Sequence, residues 1–124
     1  MQATRLLRCA RKHAQARDYS VALATIDRAI SLAPSATLFD YRGVLLCLMG
    51  RAQEALESFT QALLLATSPE QQAEIYFHRG LLYGRERLYD QALVDLSQAR
   101  QLDPAHAMYR EASAGVELEK GRTL

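Results

Sequence analysis

The chain has 124 residues, 49% of them hydrophobic and 23% charged, which suits one compact domain and is too little for two independent ones. Fifteen Lys and Arg against fourteen Asp and Glu leave a formal charge of +1, so no bulk field draws the protein toward nucleic acid, a membrane or a strongly charged substrate. The abundance of Leu and Ala excludes the disordered class. Three Pro, six Gly and few β-branched residues predict an all-α fold.

The first predicted helix runs from about residue 3 to 16 and carries Arg5, Arg8, Arg11 and Lys12. With Arg17 and against Asp18 these give the first 20 residues a net charge of +4, the one marked charge asymmetry in the chain. Leu6, Leu7 and Cys9 superficially resemble a leader with a lipidation cysteine, but Arg11, Lys12 and His13 follow in place of an apolar run. Cys9 and Cys47 lack CxxC spacing, so neither a disulfide framework nor a zinc site is expected. No apolar run approaches the length of a membrane span, and reducing cytoplasm is the expected compartment.

Downstream the sequence repeats itself. Ala22, Leu23, Ile26, Ala29 and Ile30 recur as Ala55, Leu56, Phe59, Ala62 and Leu63, and again as Ala92, Leu93, Leu96, Ala99 and Leu102. The offsets are 33 and then 37 residues, apart from Leu102. Within each copy the apolar positions fall at i, i+4 and i+7, one face of an amphipathic helix. Helices over about 36–49 and 70–85 precede the second and third copies, and there Phe39, Arg42, Gly43 and Leu46 match Tyr76, Arg79, Gly80 and Tyr83. Glycine inside a helix costs about 1 kcal/mol against Ala, so two at equivalent places imply close approach of the paired helix. Ala33-Pro34-Ser35 and Asp103-Pro104 punctuate the hairpins, and Gly50 turns the second one in a left-handed conformation. Ser68, Pro69 and Gln71 predict a helix start with Ser as N-cap and a capping box.

These residues resemble the tetratricopeptide repeat (TPR), whose 34-residue unit has an aromatic, Leu-Gly and Tyr in its first helix and Ala, a bulky residue, Ala and Pro in its second. The third copy matches best, with Tyr76, Gly80, Tyr83, Tyr89, Ala92, Leu96, Ala99 and Pro104. The second has Phe39, Gly43, Leu46, Gly50, Ala55, Phe59 and Ala62, with Thr67 in place of the terminal Pro; in the first, Leu6, Ala10 and His13 replace the aromatic, Gly and Tyr. The resemblance implies a single domain over 1–124, a right-handed α-solenoid of three antiparallel helical hairpins (about 3–35, 36–69 and 70–104) and a capping helix over about 105–120. Met108, Ala112, Gly115, Val116 and Leu118 are expected to cover the last hairpin, with Arg110, Glu111, Glu117, Glu119 and Lys120 facing water.

Catalytic chemistry has no support in the residues. His13, His78 and His106 lie in different repeats without a nucleophile or carboxylate constellation; Glu74 and His78 are four apart on one helix but lack further ligands; and no phosphate-binding glycine motif occurs. The expectation is no enzyme, no catalytic residue, no metal and no cofactor. The resemblance implies instead a concave groove lined by the first helix of each unit, and it places Arg8, Arg11, Asp40, Tyr41, Val44, Glu74, Phe77, His78, Leu81 and Arg85 there. Tyr41 and Phe77 are the expected anchors, Val44 and Leu81 an apolar floor, and the arginines holders of acidic groups. Relatives that hold a chaperone's C-terminal carboxylate use Lys, Asn and Arg at set places, which here carry Leu7, Arg11, Tyr41, Glu74 and His78, so that clamp is not reproduced. The expected function is a non-catalytic interaction module, scaffold or adaptor, binding a protein or peptide partner with acidic residues. No nucleic acid or membrane partner is expected, and the protein is a monomer or a homodimer. A dedicated secretion-type chaperone for one client and a structural subunit of a larger assembly are the alternatives.

Overall fold

The computed structural model describes residues 2–122; residues 1, 123 and 124, the ends of the expected domain, lie outside the described residues. Seven α-helices and no strand occur among the described residues, as the composition predicts. They are α1 (Gln2–Gln15), α2 (Tyr19–Leu32), α3 (Ala36–Leu48), α4 (Ala52–Leu65), α5 (Pro69–Arg85), α6 (Tyr89–Leu102) and α7 (Ala107–Arg122). The chain forms two compact units, 1–66 and 67–124.

In the first unit α1 pairs with α2 and α3 with α4, while α2 also packs on α3. One core cluster joins Ala10 of α1, Ala22, Ile26 and Ala29 of α2, and Leu38 and Leu45 of α3. The Ala positions admit the neighbouring helix and the bulky positions fill the space between. Gly43 shows the same logic at its limit, since a Cβ there would run into the Phe59 ring of α4, which has no exposed surface.

In the second unit α5 pairs with α6, and α7 packs on both. Gly80 repeats the close approach, facing the Leu96 side chain and the Ala92 carbonyl of α6. The α7 register differs from expectation. Tyr109, Ser113 and Val116 are buried and Ala112 half-buried, whereas Met108 and Leu118 stand 52% and 64% exposed and Gly115 is open. A one-residue rotation of the i, i+4, i+7 pattern puts the larger aromatic surface of Tyr109 inward. Its ring packs 5.0 Å from Phe77 and stacks on His106 at 4.0 Å.

The turns within the three hairpins are the same device. Arg17, Gly50 and Arg87 all have φ between 62° and 74°. In each turn the left-handed residue donates to the carbonyl three back, and the next residue donates to the carbonyl five back: Asp18 to His13, Arg51 to Leu46, and Leu88 to Tyr83. This double closure satisfies helix carbonyls that would otherwise lack donors. Glycine was expected only at Gly50, and Arg occupies the same conformation twice.

The helix starts differ by kind. The first helices α3 and α5 carry side-chain caps, with Ser35 accepting from the Leu38 N–H and Ser68 from the Gln71 N–H. Pro69 stands at the start of α5 as expected, but the Gln71 side chain accepts from the Thr67 N–H, one residue before the cap. The second helices α2, α4 and α6 have no side-chain cap hydrogen bond.

Candidate protein-binding surface

The expected site residues fall on the first helices of the hairpins, so each unit presents its own part of them. In the first unit Arg8 and Arg11 are exposed on α1, and Asp40, Tyr41 and Val44 are half-buried on α3. Arg11 and Tyr41 meet: the guanidinium carbon lies 5.7 Å from the ring centroid, a cation–π distance. Burial pushes the Tyr41 phenol above its ordinary pKa, while the neighbouring Arg11 charge pulls in the opposite direction. Leu48, two turns along α3 from Tyr41, leaves 53% of its surface exposed. The first unit therefore carries, on its surface, a cation held over an aromatic ring and, two turns along α3, an exposed aliphatic side chain.

In the second unit Glu74, Leu81 and Arg85 are exposed on α5 and His78 is partly buried. Phe77 belongs to the core instead. It is only 9% exposed and clusters with Ala73, Leu96, Tyr109 and Val116, its ring tilted against Tyr109 and against His78 at 5.7 Å. The expectation of Phe77 as an anchor took an exposed position on α5 for granted, and the inward rotation of Tyr109 removes it. Leu81, 39% exposed, is the larger apolar surface that α5 offers.

A second set of residues, whose partners the sequence did not reveal, braces these helices. Arg42 of α3 donates to Asp27 of α2 at 2.8 Å and to the buried Ser58 hydroxyl of α4 at 2.7 Å, tying three helices. At the equivalent place in α5, Arg79 donates twice to Asp95 of α6, at 2.7 and 2.9 Å, with Tyr76 and Tyr83 rings 5.6 and 5.9 Å from the guanidinium. The recurrence of Arg42-Gly43 as Arg79-Gly80 was visible in the sequence; the acceptors, Ser58 and Asp95, also stand 37 residues apart and were the available clue. No helix among the described residues is long and apolar enough to cross a membrane.

A tetratricopeptide repeat model matches residues 73–106, the copy with the fullest motif. No curated protein sequence matches the chain. Among solved structures, the Sgt2 TPR domain from Aspergillus fumigatus aligns with a TM-score of 0.87 at 14% identity, covering 98% of this chain and 80% of that one. The first TPR of Spaghetti (RPAP3), bound to the HSP90 peptide SRMEEVD, aligns at 0.84 with 16% identity over 95% and 92% of the two chains. The second TPR domain of human RPAP3, in complex with the HSP70 peptide SGPTIEEVD, aligns at 0.82 with 20% identity over 94% and 96%. One tetratricopeptide repeat is thus recognised in sequence at 73–106, and over nearly its whole length the chain has the fold of tetratricopeptide-repeat domains.

Proposed function

We propose that this chain is a non-catalytic interaction module that holds a segment of a protein partner against the exposed faces of its first helices. Two domains of the same fold are known with peptides bound, and that likeness is the observation that carries the reading. The local chemistry supports it. Tyr41 with Arg11, Val44 and exposed Leu48 offer a mixed aromatic, cationic and aliphatic surface in the first unit. Leu81 and Arg85 offer a similar pairing on α5. In this reading residues 1–124 act as one binding domain, in the cytoplasm, where the exposed Cys9 thiol stays reduced.

Affinity capture from native lysate, comparing the wild type with the Arg11→Gln/Tyr41→Ala double variant, tests this. The wild type retains a protein that the double variant loses while keeping its helical circular dichroism. Identical retention by both removes Arg11 and Tyr41 from the binding surface. One client recovered in fixed stoichiometry, with nothing else, moves the reading to a dedicated chaperone.

A further inference from the structure

We propose that the exposed face of α1 reads a run of acidic side chains within an internal segment of the partner, and not the partner's terminal carboxylate. This rests on the interaction-module reading and narrows it. From Gln2 to Gln15, α1 carries Arg5, Arg8, Arg11 and Lys12 and not one Asp or Glu. At about 100° per residue these four cations fall within about 120° of the helix surface. That sector lies opposite Ala3, Leu6, Leu7, Ala10 and Ala14, which pack into the core of the first unit. Arg5, Arg8 and Lys12 are exposed, and no carboxylate among the described residues pairs with them.

The geometry of the row selects the ligand. It spans about 10 Å along the helix axis with a cation at every turn. One terminal carboxylate occupies one or two guanidinium groups and leaves the rest of the row unused. Successive acidic side chains fit the whole row, since they repeat at about 7 Å on one side of a strand and at about 5–6 Å between neighbours on a helix face. Arg11, fixed over Tyr41, ties the row to α3, where Leu48 offers an apolar contact about 10 Å further along that helix. The charge distribution favours a short acidic peptide segment over nucleic acid. With four of the fifteen basic residues and none of the fourteen acidic ones in α1, the remainder of the chain is net −3 and repels a polyanion that extends past this helix.

Random short peptides displayed internally, without a free C-terminus, are selected on the immobilised protein, and a second library displays the same peptides with a free C-terminus. Recovered sequences are synthesised with blocked ends and measured by fluorescence anisotropy. The expected result is enrichment of Asp and Glu, with affinity falling about tenfold or more in Arg8→Gln/Arg11→Gln and in about 0.5 M salt. Both substituted residues are exposed, and unchanged circular dichroism verifies the fold of the variant. Neutral peptides, or peptides indifferent to the double substitution, overturn the proposal while the interaction module stands. Binders from the free-C-terminus library alone overturn it in favour of a terminal carboxylate, and displacement of the peptides by a single-stranded oligonucleotide at lower concentration overturns it in favour of nucleic acid. Failure of both libraries overturns the interaction-module reading and this inference together.

Discussion

Arg79 of α5 grips Asp95 of α6 through two hydrogen bonds, at 2.7 and 2.9 Å, and the carboxylate so held keeps only 4% of its side chain exposed. A buried carboxylate is tolerable because the guanidinium fork satisfies both oxygens, and the Asp95 interaction in turn raises the pKa of Arg79, so it remains charged. Removing the cation alone leaves a charge stranded in the core. Arg79→Met is expected to cost about 3 kcal/mol or more in chemical denaturation, while Arg79→Met/Asp95→Leu recovers most of the loss. Equal destabilisation by the single and double variants would show that the stranded charge is not the cause.

Gly43 and Gly80 occupy equivalent places but differ in what an added methyl group meets. At Gly43 three atoms of the fully buried Phe59 ring stand in the way, whereas at Gly80 the nearest atoms are those of the Leu96 side chain, at 3.0 and 3.2 Å. Ala in place of helical Gly contributes about 1 kcal/mol, and overpacking costs about 1–3 kcal/mol. Gly43→Ala is therefore expected to lower the melting temperature and Gly80→Ala to leave it nearly unchanged. Adding Phe59→Leu to Gly43→Ala should restore part of the loss; no recovery would place the strain elsewhere.

Gly50 has open space around its Cβ direction, so its φ of +74° is the whole reason a side chain is disfavoured there. The left-handed conformation costs an L residue about 1 kcal/mol, a penalty that Arg17 and Arg87 bear at φ 63° and 62°. Gly50→Ala should destabilise by about that amount, and Arg87→Gly should gain up to about 1 kcal/mol, reduced by the greater unfolded-state freedom of Gly. Thermal denaturation of the two variants reads opposite signs; the same sign in both would contradict the conformational argument.

The Tyr41 phenol is raised above its ordinary pKa of 10.0 by burial, with Arg11 opposing the shift. A raised folded-state value means that the neutral phenol favours the fold: its contribution is complete below the unfolded value and is lost as pH rises through the folded one. Arg11→Gln removes a charge that favours phenolate, so the Tyr41 pKa should rise further. Titration of the tyrosine Cζ carbon resonances by NMR separates Tyr41 from the other tyrosines, and a fall in its pKa in the variant would contradict the observed pairing.

Much of this architecture is written in local pattern. The Ala-and-bulky alternation fixes which side of α2, α4 and α6 turns inward, because a helix buries whatever recurs at its own period, and Ser35, Ser68 and Pro69 start helices through contacts only a few residues away. The basic surface of α1 is equally legible, since charges that cannot be buried must face water. Three things were decided only by tertiary packing. Met108 and Tyr109 offered nearly the same helical spacing, and the inward rotation went to the ring that could reach Phe77, which also withdrew Phe77 from the surface. Arg42 and Arg79 were recognisable as a matched pair, but Asp27, Ser58 and Asp95 lie 15 or 16 residues away on other helices, and only folding brings them to the guanidinium. Arg17 and Arg87 take a glycine-like conformation because the turn must place α1 on α2 and α5 on α6, and the energy of those packed faces outweighs a local backbone preference.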